Sequence, residues 1–187
     1  MNSLVSSKDL GRHTIELLLQ NAQTYADTNQ VGQKHGTVVN LFFENSTRTD
    51  LSFQMAAQRL GLQTLNFTVG HSSASKGESL LDTLETLEAL GVDVVVIRHQ
   101  IDWPKELEGC KLNLSLVNAG SGAFEHPTQA LLDAFTMRQH FPSLRGLKVT
   151  IVGDIRHSRV ARSNMHILTA LGARFLQARR STRGTLG

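Results

Sequence analysis

Short apolar runs rich in β-branched residues, separated by amphipathic helical stretches, constrain this chain more than any other feature. VVNLFF (38–43), VDVVVI (92–97), LSLVNAG (114–120) and LKVTIVGD (147–154) are nearly continuous apolar segments of strand length, with TLNF (64–67) a shorter one. Runs of this kind are rich in strand formers, and VDVVVI reads as a buried strand. Between them lie helical spacings: Ile15, Leu18, Leu19, Ala22 and Tyr25 on one face, then Phe53, Ala56, Ala57 and Leu60 on another. Further helices are predicted over 80–90, from the HPTQ segment to His140, and over 160–171, and Gly61, Gly91 and Gly172 stand where helices should stop. The alternation predicts an α/β fold with a largely parallel sheet and right-handed crossovers. A break at Pro142 divides it into 1–142 and 143–187, the second part being only the start of another α/β unit.

The tail from Arg174 (RFLQARRSTRGTLG, with Arg179, Arg180 and Arg183) is basic and is expected to be neither strand nor helix. A shifted reading frame or a premature stop would produce such a tail. Layer packing then leaves apolar surface around 148–152 uncovered.

Composition narrows the function. Of 187 residues 40% are hydrophobic, enough for one good core or one and a half domains. The 19 Lys+Arg and 16 Asp+Glu are interspersed over most of the length, which argues against a nucleic-acid-binding face. The single cysteine, Cys110, permits no intrachain disulfide and fits a reducing compartment. Nothing beside it marks an activated nucleophile. No signal core and no apolar stretch approaching ~20 residues is present, so a soluble, cytoplasmic protein without membrane contact is expected.

In open α/β sheets ligands gather beyond the carboxyl ends of the strands, and four polar clusters fall there. Ser46, Thr47, Arg48 and Thr49 lie between a strand and a helix, where unpaired backbone N–H groups, hydroxyls and a guanidinium can cradle a phosphate. Arg98 and His99 follow VVVI directly. His126, Pro127, Thr128 and Gln129 open a helix, so an imidazole and an amide converge at its start. The loop 72–78 (SSASKGE) opens another helix. Each has a plainer reading, as an ordinary Ser/Thr cap, a strand exit to solvent, a histidine cap or a solvated connection. Together they describe a site for a small phosphorylated compound.

The segment FFENSTRTDLSFQMAAQRLG (42–61) resembles the signature of the aspartate and ornithine carbamoyltransferases, and HPTQALLDAFT (126–136) resembles their aspartate branch. SSASKGESLLDT (72–83), VVIRH (95–99) and VGDIRHSRVARSN (152–164) are similar to the aspartate branch, and Thr128 stands where ornithine enzymes carry cysteine. The similarity runs from about 9 to 172. It implies a parallel-sheet carbamoyl-phosphate-binding domain followed by the incomplete start of an aspartate-binding α/β domain. It also implies transfer of a carbamoyl group from carbamoyl phosphate to the amine of L-aspartate, in pyrimidine biosynthesis.

In that resemblance Ser46, Thr47, Arg48 and Thr49 hold the phosphate, with Arg48 as bidentate clamp. Thr49, Arg98 and His126 stabilise charge growing on the carbonyl oxygen, as an oxyanion hole does. Gln129 holds the carbamoyl amino group. Lys76 and Arg159 bind L-aspartate, and Ser72 and Lys76 reach into a neighbouring subunit's site, implying a homotrimer that can join regulatory or dihydroorotase-like chains. No metal or organic cofactor is called for. Asn45 replaces a proline common in relatives. Asp50 replaces a commonly basic residue and is expected to cap the first helical turn, facing away. Alternatives are transfer to another amine such as ornithine, or a non-catalytic scaffold subunit. The chain alone is expected to hold carbamoyl phosphate weakly and to turn over poorly.

Overall fold

The computed structural model describes residues 3–28, 34–65, 67 and 78–178 of the 187. In chain order the elements are α1 (Arg12–Thr28), β1 (Thr37–Phe42), α2 (Thr47–Arg59), β2 (Gln63–Leu65), α3 (Leu80–Ala89) and β3 (Val94–His99). There follow α4 (Trp103–Glu106), β4 (Ser115–Ser121), α5 (Pro127–His140), β5 (Lys148–Val152), α6 (Arg159–Ala170) and β6 (Arg174–Ala178). Strands β2-β1-β3-β4 form one sheet and β5-β6 another, and every pairing is parallel.

The first sheet is covered on both faces, as its unbroken apolar runs require. Val39 and Leu41 of β1 and Val95 and Ile97 of β3 point to one side, where Leu84 and Leu87 of α3 and the fully buried Trp103 cover them. The intervening Val38 and Val96 point to the other, against Ala57 and Phe53 of α2. This is the two-residue side-chain period of a strand. Trp103 sits on the four-residue α4, an element too short for any helical periodicity to reveal.

A second apolar cluster joins α1, α5 and α6. Ile15 and Leu19 meet Ala130 and Ala134, and these meet Ile167 and Leu168. Small alanines let the helix axes approach closely. The cluster also takes in Leu144, Leu171 and Ala173, so it spans Pro142. Along β4 the N-terminal segment adds a parallel bridge, Leu4 to Val117, and Ser6 and Ser7 donate to the Glu125 carboxylate just before α5.

Two expectations change. The tail is not shapeless from Arg174: residues 174–178 form β6, in register with β5 from Lys148↔Arg174 to Val152↔Ala178. Phe175 packs on the second cluster while Leu176 is exposed, an alternation too short to stand out beside so many arginines. The third strand also starts later and runs further than 92–97. Arg98 and His99 belong to β3, with Phe42 opposite Arg98. The strand therefore carries its charged residue in fixed register instead of releasing it to a loop.

Candidate active site

The carboxyl ends of β1, β3 and β4 face one edge of the sheet, and the starts of α2 and α5 face the same edge. At α2 the N-cap is Ser46, but its side chain makes no bond to the helix backbone. Its hydroxyl donates to Thr49 Oγ1 at 2.9 Å instead. The first helical bond is Asp50 N–H to Ser46 O, at 3.0 Å. The N–H groups of Thr47, Arg48 and Thr49 consequently have no partner among the described residues. Arg48 is exposed, and its guanidinium forms no ion pair or hydrogen bond with a described residue. Free amides, two hydroxyls and an unpaired guanidinium at the positive end of a helix make an anion cradle.

Arg98 enters from the end of β3, largely buried. One Nη1 hydrogen bonds Ala119 O at 3.2 Å. Its Nε faces Glu44 Oε2 at 3.0 Å, a charge contact whose N–H direction misses the oxygen. Arg159, at the start of α6, reaches the same edge: Nη1 donates to Gly122 O at 2.9 Å and Nη2 to Glu44 Oε2 at 3.1 Å. Glu44 thus bridges two guanidinium groups. Sequence reasoning passed over it, although an acid between a strand end and a basic turn is a signal that could have found it. Burial lowers the Arg98 pKa from its ordinary value, the charge of Arg159 adds to this, and Glu44 opposes it.

Gly120 makes the approach possible. Its φ of 132° lies where side chains are disfavoured, and a Cβ there would stand 3.2 Å from Arg159 Cζ and 3.3 Å from Arg98 Nη1.

His126 is the N-cap of α5 and is buried, its backbone N–H donating to Ser163 Oγ on α6 at 2.8 Å. Pro127 has no N–H to satisfy. Burial, then the charges of Arg159 and Arg98, lower the His126 pKa from 6.5 to about 4, so the ring is neutral near pH 7. Thr128 Oγ1 lies 3.3 Å from Nδ1. With the hydroxyl donating to Nδ1, the hydrogen of the neutral ring sits on Nε2. Gln129, in the first turn of α5, donates from Nε2 to Asp133 Oδ1 at 2.8 Å.

His99 has a structural setting: its ring packs on Phe43 with centroids 4.3 Å apart, and Nδ1 accepts from Ile101 N–H at 3.2 Å. Asp50 does not cap α2, contrary to expectation. Its Oδ1 accepts from Asn40 Nδ2 at 2.7 Å and Gln54 Nε2 at 3.0 Å, because Asn40 on β1 offers an amide within reach. It lines an open depression of about 940 Å³ with Glu44, Ser46 and Thr47, a hollow on the β1–α2 side that does not reach Arg98 or His126. Ser72 and Lys76 lie outside the described residues. Among the described residues no group of three or more His, Cys, Asp and Glu could hold a metal ion.

Fold and site together define an α/β protein whose sheet edge brings two open helix starts beside Arg98 and Arg159. Residues 2–139 match the sequence profile of the aspartate/ornithine carbamoyltransferase carbamoyl-phosphate-binding domain, and the chain belongs to that family. It is 52% identical over 177 residues to the aspartate carbamoyltransferase catalytic subunit of Rhodospirillum centenum, covering 91% of this chain and 56% of that protein. It is 51% identical over 175 residues to the corresponding subunit of Staphylococcus carnosus, covering 92% and 57%. The crystal structure of aspartate transcarbamoylase from Trypanosoma cruzi in complex with N-(phosphonacetyl)-L-aspartic acid superposes with a TM-score of 0.81 at 34% identity, over 93% of this chain and 55% of that one. The same enzyme in complex with carbamoyl aspartate and phosphate also gives 0.81, at 35% identity, over 93% and 58%. The chain therefore spans somewhat more than half the length of the relatives it matches.

Proposed function

We propose that this edge binds carbamoyl phosphate and serves transfer of its carbamoyl group to the amine of L-aspartate, giving N-carbamoyl-L-aspartate and phosphate for pyrimidine synthesis. The observation that carries the reading is the uncapped start of α2, where the amides at 47–49 and the Arg48 guanidinium have no partner among the described residues. A phosphate dianion is the ligand such a cradle fits best. In the proposed roles Ser46, Thr47, Arg48 and Thr49 hold the phosphate. Thr49, Arg98 and neutral His126 donate to the carbonyl oxygen as its negative charge grows, and Gln129 meets the carbamoyl amino group. No protein nucleophile is required, and orientation with electrostatics supplies the acceleration.

Arg159 and Lys76 are proposed to meet the L-aspartate carboxylates. Glu44 now neutralises Arg159 in part, so aspartate competes with Glu44 for that guanidinium. Ser72 and Lys76 are proposed to serve a neighbouring subunit in a cytoplasmic homotrimer. The boundary near Pro142 is proposed to separate the carbamoyl-phosphate-binding domain from the aspartate-binding one. The names of the relatives favour L-aspartate over ornithine as acceptor.

Calorimetric titration of the chain with N-(phosphonacetyl)-L-aspartate and with carbamoyl phosphate tests the reading. Saturable binding of both, weakened by Arg48→Ala, is the expected result. Binding of neither overturns it.

A further inference from the structure

We propose that Asp133 is a positioning residue that turns the Gln129 amide so that its carbonyl oxygen faces the ligand, making the site selective for an acyl phosphate bearing an amino group. The inference rests on the function proposed above and narrows it to one chemical distinction.

Asp133 lies four residues beyond Gln129 on the same face of α5. Both its oxygens are held: Gln129 Nε2 donates to Oδ1 at 2.8 Å, and Asn164 Nδ2 on α6 donates to Oδ2 at 2.7 Å. A carboxylate accepts and does not donate, so each amide must offer it the NH2 end. The orientation of Gln129 is therefore dictated by chemistry. Asn164 obeys the same constraint, its Oδ1 being buried without a partner among the described residues. With its nitrogen engaged, Gln129 is left with an Oε1 that has no partner among the described residues.

Apart from the Glu44 carboxylate, which is taken up by Arg98 and Arg159, that acceptor is the exception at this edge. Arg48, Arg98, the amides at 47–49 and the His126 ring all donate. Donors recognise the phosphate and carbonyl oxygens, which acetyl phosphate and carbamoyl phosphate share. Only an acceptor reads the difference between them, a methyl in one and an amino group in the other. An amide turned the other way would present NH2 to NH2 and lose the distinction.

The test is equilibrium titration of the whole chain with three probes: inorganic phosphate, acetyl phosphate and carbamoyl phosphate. Wild type is expected to prefer carbamoyl over acetyl phosphate by about tenfold, the scale of one well-made hydrogen bond. Asp133→Ala should bring that ratio toward one while leaving phosphate affinity unchanged, and the double variant with Gln129→Ala should show no lower ratio than Gln129→Ala alone. Asp133→Asn keeps the side-chain volume and lets Gln129 turn either way, so its ratio should fall between. A ratio that survives in both Asp133 variants overturns the proposal, and so does parallel loss of all three anions in them, which marks a purely structural role. Wild type binding carbamoyl and acetyl phosphate equally overturns it too, with the phosphate cradle intact. Wild type binding none of the three removes the function reading and this inference together.

Discussion

The starts of α2, α3, α5 and α6 fall into two kinds. At α3, Ser79 accepts from Asp82 N–H and Asp82 returns a bond to the Ser79 backbone, a complete capping box. At α6, Ser158 accepts from Ala161 N–H. At α2 a serine stands in the same position, yet Ser46 turns to Thr49 and leaves the backbone amides open. At α5 the N-cap side chain is an imidazole facing Thr128. The same residue type thus seals one helix and leaves another open. The open ends lie at the carboxyl edge of the four-stranded sheet, beside Arg98. Local stability is forgone at α2 and α5, where a ligand can supply the missing partner, and retained at α3 and α6.

The largest expected effect concerns the open end of α5. His126 titrates near 6.5 when unfolded and at about 4 when folded, so between those values the unfolded chain binds the proton and the folded one does not. Stability is complete above pH 6.5 and falls as the pH drops toward 4, by up to about 3 kcal/mol from this group. Denaturant melts across that window should show the slope, and His126→Gln should flatten it. An unchanged slope in the variant would mean that other groups carry the acid sensitivity.

Next in size is Arg48→Ala, expected to weaken phosphate binding by about 10- to 100-fold, the value of one charged hydrogen bond, with no loss of melting temperature. The serines then separate the two kinds of start directly. Ser79→Ala and Ser158→Ala should each cost about 1 kcal/mol of stability and leave phosphate affinity untouched. Ser46→Ala should cost only a few tenths of a kcal/mol, since it seals nothing, and should weaken phosphate binding measurably. Thermal melts with and without phosphate check all three. A Ser46→Ala loss equal to that of Ser79→Ala would erase the distinction.

Much of the fold was legible in the chain because its strands are buried on both faces. An unbroken run such as VDVVVI announces itself, and helix stops at Gly61, Gly91 and Gly172 frame the elements between. β6 was not legible, since Phe175 is the one inward apolar side chain described there and the segment runs on into arginines, and pairing with β5 is a backbone matter. The candidate site divides in the same way. Motifs pointed to Ser46 through Thr49, Arg98, His126, Gln129 and Arg159 one by one. The residues that tie them together depend on distances no linear pattern encodes. Glu44 and Arg159 are 115 positions apart, and Asp133 and Asn164 are 31 apart. Asp50 was misread for the same reason, because its partner Asn40 lies on a different element.

Amide chemical-shift perturbation on titrating the chain with inorganic phosphate tests the contrast between the two kinds of helix start most directly. The amides of Thr47, Arg48, Thr49 and Thr128 should shift in a saturable way, while those of Asp82 and Ala161 stay in place. Shifts of equal size at all four helix starts, or at Asp82 and Ala161 alone, would contradict the account.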